Sequence, residues 1–315
     1  MLSRRRLLAT SASAMLFPRS ALSASPRPAK LSSKHYAVRD ITLDHSQPWN
    51  RFTLLVPTLS KTRPVPLLVL LHGLGETHDP RTGAYAWLER YGLAMAYDRL
   101  HRPPVRALDD RARYWTNTKL SEINQQLAAR PFRGFAIACP YTPNVYRAPS
   151  RQRILDRYAD WISDAVVPRA RSEANIIADA AHTSLDGCSL GGYVGLEVFL
   201  RKSSEFHAWG SVQGALGSHR IPGYIERLKA IVTPQSRHRL HLETSHADAF
   251  RGVNERFSRS LRAASLPHDF SLLRGPHNQP FLRDSGTLNM LLWHDRLYAD
   301  EAPPAQSPAV DGSKG

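Results

Sequence analysis

"HTSLDGCSLGGYVGLEVFL", residues 182–200, decides how this chain of 315 residues is read. A short run, His182-Thr183-Ser184-Leu185-Asp186-Gly187, has the look of a strand. A helix-forming run opens at Tyr193. Between them stands Gly187-Cys188-Ser189-Leu190-Gly191, a serine flanked by glycines. A strand-to-helix turn this sharp needs glycines where backbones approach closely, and it lifts the hydroxyl of its central serine above the end of a sheet. The five-residue pattern alone is weak, and its setting strengthens it: a strand candidate before, a helix candidate with Gly191, Gly192 and Gly195 after. The start of that helix also turns free N–H groups toward any negative charge that develops there.

The rest of the chain supplies the same alternation. "RFTLLVP" (51–57), "PLLVLLHGLG" (66–75), "GFAIACP" (134–140), "WGSVQGALG" (209–217), "RLHLETS" (239–245) and "HDFSLLRG" (268–275) read as strands. The aliphatic run at 65–71 is nearly continuous, as in a strand buried on both faces. Residues 151–170 carry Ile154, Leu155, Tyr158, Trp161, Ile162, Ala165 and Val166 at helical spacing, and helical patterns cover 249–265 and 281–298. Strands alternating with helices predict an α/β fold with a mostly parallel central sheet flanked by helices.

One connection is out of scale. About sixty residues separate the strand ending near His72 from the one starting near Gly134, an insertion spanning about 77–133. Most connections are far shorter. It holds one helical pattern at 84–101, a Pro-rich break and a second short helix at 121–130. Loops at the carboxyl ends of parallel strands build the binding crevice. The insertion is therefore a candidate pocket wall or lid. Tyr114 and Trp115 either face substrate or pack beneath it as a small core of their own.

Composition narrows the partners. The formal charge is +15, with 42% hydrophobic and 22% charged residues. No long basic block follows the N-terminus and no aromatic-plus-basic RNA-binding motif occurs, so the charge reads as a diffuse excess of arginine and no nucleic-acid partner is expected. Residues 1–24 have the form of a signal peptide. "SRRRLLA" at 3–9 matches the twin-arginine pattern, a short h-region follows, and "ALSAS" offers a cleavage site near Ser23 or Ala24. This predicts export, periplasmic or extracellular, without a stable membrane anchor. Residues 25–35 read as a linker, 36–298 as one catalytic domain and 299–315 as a disordered tail. Cys139 and Cys188 are the only cysteines. No zinc or calcium spacing occurs, so neither metal nor organic cofactor is expected.

The remaining site residues follow from what a serine at such a turn requires. An oxyanion needs two amides, one from the residue after the nucleophile, Leu190, and one from the turn after the most apolar strand. There "LLHGLGE" (70–76) offers Leu74. His72 in that turn reads as structural. The acid and base should follow the serine in that order, each in a loop after a strand. "RLHLETSHADAF" places Asp248 so, and "DFSLLRGPHNQPF" places His277.

The segments "LLHGLGE", "DWISDAVVPRA", "GCSLGGY", "ETSHADAF" and "LRGPHNQPFL" resemble the α/β-hydrolase superfamily, and within it the esterase branch that includes esterase D and feruloyl-esterase-like proteins. The resemblance covers roughly residues 51–298. It implies Ser189 as nucleophile, His277 as base, Asp248 as its orienter, and Leu74 and Leu190 as oxyanion amides. The expected activity is hydrolysis of a small-molecule or polymer-linked carboxylic ester. The alternatives are a peptidase on the same fold, a polysaccharide- or polyester-ester hydrolase, and a non-catalytic binding protein. Three departures stand out: Cys188 precedes the serine where the branch often has an aromatic residue or histidine, a long insertion occupies about 77–133, and the segment between "WGSVQGALG" and "RLHLETS" is too short for a large cap domain.

Overall fold

The computed structural model describes residues 32–43, 49–109, 111–233 and 236–301. The signal peptide, linker residues 25–31 and the chain beyond 301 lie outside them. Eight strands form one sheet: β1 (Tyr36–Thr42), β2 (Arg51–Pro57), β3 (Leu67–Leu71), β4 (Ala136–Pro140), β5 (Thr183–Gly187), β6 (Ala208–Val212), β7 (Arg239–Ala247) and β8 (Asp269–Pro276). Their spatial order is β1-β2-β4-β3-β5-β6-β7-β8. β1 and β2 run antiparallel at one edge, and β4 to β8 are mutually parallel.

The aliphatic run at β3 explains the layering. Leu67, Val69 and Leu71 enter one core and Leu68 and Leu70 the other, the two-residue alternation of a strand covered on both sides. The first core is closed by α5 (Arg151–Trp161), α7 (Leu190–Arg201), α8 (Ile221–Lys229) and α9 (Arg251–Ala263). α5 passes through a wide turn at Ile162–Val166 into α6 (Val167–Glu173). The second core is closed by α10 (Gln279–Phe281), α11 (Thr287–Glu301) and the insertion.

The insertion departs from its expected form. The helical pattern at 84–101 is not one helix. After α1 (Pro80–Ala84) it divides into α2 (Ala86–Glu89) and α3 (Leu93–Leu100) at Gly92, which adopts φ +75° and lies hard against Arg283. Neither this half nor α4 (Asn117–Ala129) is a free lid. Trp87, Leu93, Ala96, Tyr97, Ile123 and Leu127 are buried in the second core. β1 was absent from the strand pattern because only two of its seven residues, Tyr36 and Ile41, are buried. Among the described residues, no helix is long and apolar enough to cross a membrane.

β5 and α7 join through the glycine-flanked turn, and two of its glycines are required by proximity. A Cβ on Gly191 would stand 2.2 Å from the carbonyl oxygen of Leu71, and one on Gly187 would stand 2.5 Å from the carbonyl carbon of Gly191. Helix and sheet meet backbone to backbone, so nothing flexible can yield. Gly191→Ala should therefore lower stability by about 2 kcal/mol or more. Urea denaturation measures it; an unchanged midpoint would contradict the close approach.

Candidate active site

At the carboxyl ends of β3, β5, β6, β7 and β8 the chain brings three distant residues into one line. Ser189 ends the β5 turn, Asp248 follows β7 directly, and His277 follows β8 directly. His277 Nε2 lies 3.1 Å from Ser189 Oγ, and its Nδ1 lies 2.8 Å from Asp248 Oδ1. With Nδ1–H donated to the carboxylate, Nε2 is left to accept the serine proton. The exposure is graded: the Asp248 side chain is fully buried, His277 is 31% exposed and Ser189 is half-buried. A ligand thus reaches the serine while the carboxylate stays out of water.

Asp248 is held by further donors. Thr244 Oγ1–H donates to Oδ2 at 2.6 Å, and the Phe250 N–H donates to Oδ1 at 2.9 Å. Three donors satisfy the two oxygens and fix the imidazole's orientation. Thr244 was not singled out in the sequence, although it lies four residues before Asp248 in "ETSHAD".

Ser189 itself adopts φ +54°, ψ −115°, a region that residues with side chains rarely occupy. Its N–H donates to Val212 O at 3.0 Å, and its carbonyl accepts from Ala215 N–H at 2.9 Å. Cys188 N–H donates to Leu71 O at 3.2 Å. The turn is thereby clamped between the ends of β3 and β6. Leu190 N–H opens α7, and Leu74 N–H opens a single 3-10 turn at Leu74–Glu76. Neither amide hydrogen-bonds within the described residues.

His72 has a different task. It is fully buried, its Nε2 accepts the Thr142 N–H at 2.8 Å, and its Nδ1 therefore carries the proton and donates to Gly73 O at 2.8 Å. Desolvation lowers its pKa from 6.5 to about 4.

Cys188 points away from the crevice. It is 3% exposed within the second core, and burial, reinforced by the nearby Glu76, pushes its thiol well above the usual range. Its sulfur stays protonated and unreactive. Both cysteines are free.

Of the two insertion aromatics, Trp115 turns inward, whereas Tyr114 stays half-buried beside Gly275 and Phe281, on either side of His277 in the chain. Trp115 is 7% exposed, and its indole N–H donates to Asp284 Oδ1 at 2.9 Å. Tyr114 packs edge-on against Phe281. Trp115 also borders a cavity of about 510 Å³ lined by Asp109, Arg113, Thr116, Asn117, Leu120 and Arg274, beside β8 rather than over Ser189. Among the described residues, no three His, Cys, Asp or Glu side chains form a metal-binding group.

No family model and no curated sequence matches the chain. Solved structures do. A ferulic acid esterase is 17% identical, with a TM-score of 0.56, covering 84% of this chain and 99% of its own. An S-formylglutathione hydrolase from Staphylococcus aureus is 15% identical, with a TM-score of 0.55 and coverage of 83% and 98%. A ferulic acid esterase from Anaeromyces mucronatus in complex with ferulic acid is 13% identical, with a TM-score of 0.53 and coverage of 82% and 90%. The fold is that of α/β-hydrolases.

The neutral His72 makes stability pH-dependent. Between pH 6.5 and about 4 the unfolded chain binds a proton that the folded imidazole refuses. The contribution is complete above pH 6.5 and declines as the pH falls. The stability advantage of wild type over His72→Asn should shrink by about 2 kcal/mol between pH 7.5 and 5. Paired urea titrations measure it; a gap independent of pH would mean that His72 protonates freely.

Proposed function

We propose that the protein is a serine esterase that cleaves carboxylic esters through an acyl-enzyme on Ser189. The observation that carries this reading is the line Ser189–His277–Asp248, with the serine on a strained turn at the start of the helix that Leu190 opens. In the first step His277 Nε2 takes the Ser189 proton while Oγ attacks the ester carbonyl. The Leu74 and Leu190 N–H groups receive the oxyanion, and Asp248 stabilises the imidazolium. The tetrahedral species collapses, the C–O bond to the alcohol breaks, and His277 returns the proton to the departing oxygen. Water then repeats the sequence on the acyl-enzyme, releasing the acid and restoring Ser189.

The esterases among the structural neighbours support the ester over the amide as substrate, and the one holding ferulic acid makes hydroxycinnamate esters the first natural class to test. The twin-arginine pattern at 3–9 supports export, where small or polymer-linked esters would be met.

A fluorophosphonate probe should label the wild-type protein and leave Ser189→Ala unlabelled. The same variant should lose all measurable aryl acetate hydrolysis with its circular dichroism unchanged. Retained turnover would remove Ser189 from the mechanism. Aminoacyl-anilides should turn over far more slowly than aryl acetates; the reverse ranking would favour a peptidase.

A further inference from the structure

The 3-10 turn that opens at Leu74 ends on a buried acid that acyl transfer does not use. Glu76 is 4% exposed. Its Oε2 accepts the hydroxyl proton of Tyr91, and its Oε1 accepts from Gln279 Nε2 at 3.3 Å. Arg90 Nε stands 3.9 Å from the same Oε1. These partners come from separate parts of the chain: Tyr91 and Arg90 from the insertion, Gln279 from the segment two residues past His277.

The Tyr91 oxygen has a second bond, from the Gly73 N–H at 3.3 Å. A hydroxyl carries one proton, and here the lone pair serves Gly73, so the proton faces Glu76. The order is Gly73 N–H to Tyr91 oxygen, then Tyr91 O–H to Glu76 carboxylate. Gly73 is meanwhile gripped at its other polar group, since its carbonyl accepts from His72 Nδ1–H. The peptide joining Gly73 to Leu74 is planar, so the Leu74 N–H points opposite to the Gly73 carbonyl. Holding both polar groups of Gly73 sets the direction of the Leu74 N–H without touching it. There is little slack. A Cβ on Gly73 would stand 3.1 Å from the Tyr91 oxygen and 3.7 Å from Ser189 Cβ.

We propose that Glu76, acting through Tyr91 and Gln279, is the positioning residue that aims the Leu74 amide and ties it to the His277 segment in one frame. The proposal rests on the acyl-transfer reading of Ser189. A carboxylate suits the place because both oxygens accept at once, one from the insertion and one from the segment after His277. Glutamine can substitute: its oxygen accepts from Tyr91, its amide donates to Gln279, and Gln279 reverses its own amide. A leucine or alanine can do neither.

The test compares Tyr91→Phe, Glu76→Leu and Glu76→Gln with wild type. Two readouts are the kcat and KM for aryl acetate and the inhibition constant of a trifluoromethyl ketone, which binds as a tetrahedral adduct with its oxygen in the oxyanion site. Tyr91→Phe and Glu76→Leu should lower kcat by about tenfold or more with KM little changed, since loss of an oxyanion donor outright costs about 10²–10³. Inhibitor affinity should fall in parallel, and Glu76→Gln should restore both to within about threefold. Melting temperatures separate misaiming from unfolding. If Glu76→Leu does not fold, Tyr91→Phe, which removes a single oxygen, decides alone. A folded Tyr91→Phe with kcat and inhibitor affinity within about twofold of wild type overturns the proposal. Ser189→Ala serves as the control: activity retained there defeats the acyl-transfer reading itself, whereas its loss beside an unaffected Tyr91→Phe defeats only the positioning role.

Discussion

Ser189 is held at φ +54°, ψ −115°, and much of the surrounding structure exists to hold it there. Such a conformation costs on the order of 1–3 kcal/mol in a residue with a side chain. The cost is offset by the clamp between β3 and β6, where Leu71 and Val212 offer carbonyls to the N–H groups of Cys188 and Ser189. The clamp works only if α7 lies directly on the end of β3, and this forces glycine at positions 187 and 191. Strain, clamp and glycines are one device, and it leaves the serine hydroxyl at the edge where Asp248 and His277 arrive.

The parallel order of β3, β5, β6, β7 and β8 makes that arrival possible. Each strand delivers its following loop to the same edge, so residues far apart in sequence converge without long excursions. The insertion adds a second contribution. In place of a lid it supplies much of the layer over one face of the sheet, and through Tyr91 it reaches beneath the turn that presents Leu74. Packing on that face and alignment of the crevice are therefore mechanically joined.

β2, β3 and β4 were legible in the sequence as short apolar runs that end at or just before proline or glycine, and β5 by its place before the glycine-flanked turn. β1, "YAVRDIT", was not, since an edge strand exposed along most of its length carries no apolar signature. The apolar spacing at 84–101 continues across Gly92 as in a single helix, and only the tertiary contact with Arg283 shows that the chain turns there. Ser189, Asp248 and His277 could be named from chain order and from the habit of such residues to follow strands. The Glu76–Tyr91–Gln279 connection could not. It spans 203 residues between its ends and has no motif, only geometry. Trp115 shows the opposite failure: an aromatic in an insertion beside a crevice suggests a ligand, yet its indole N–H turns inward to Asp284.

The adjacent cysteine makes the central claim open to a direct test. Cys188 is the better intrinsic nucleophile, but it is buried and kept protonated, while the half-buried Ser189 has His277 Nε2 at 3.1 Å from its hydroxyl. An acyl group should therefore settle on the serine alone. Rapid acid quench of the protein with excess aryl acetate, followed by proteolysis and fragment-ion mass spectrometry, locates it. One acetyl group on Ser189, absent from the Ser189→Ala protein, is the expected result. An acetyl group on Cys188, or labelling that survives in Ser189→Ala, would contradict the assignment of the nucleophile.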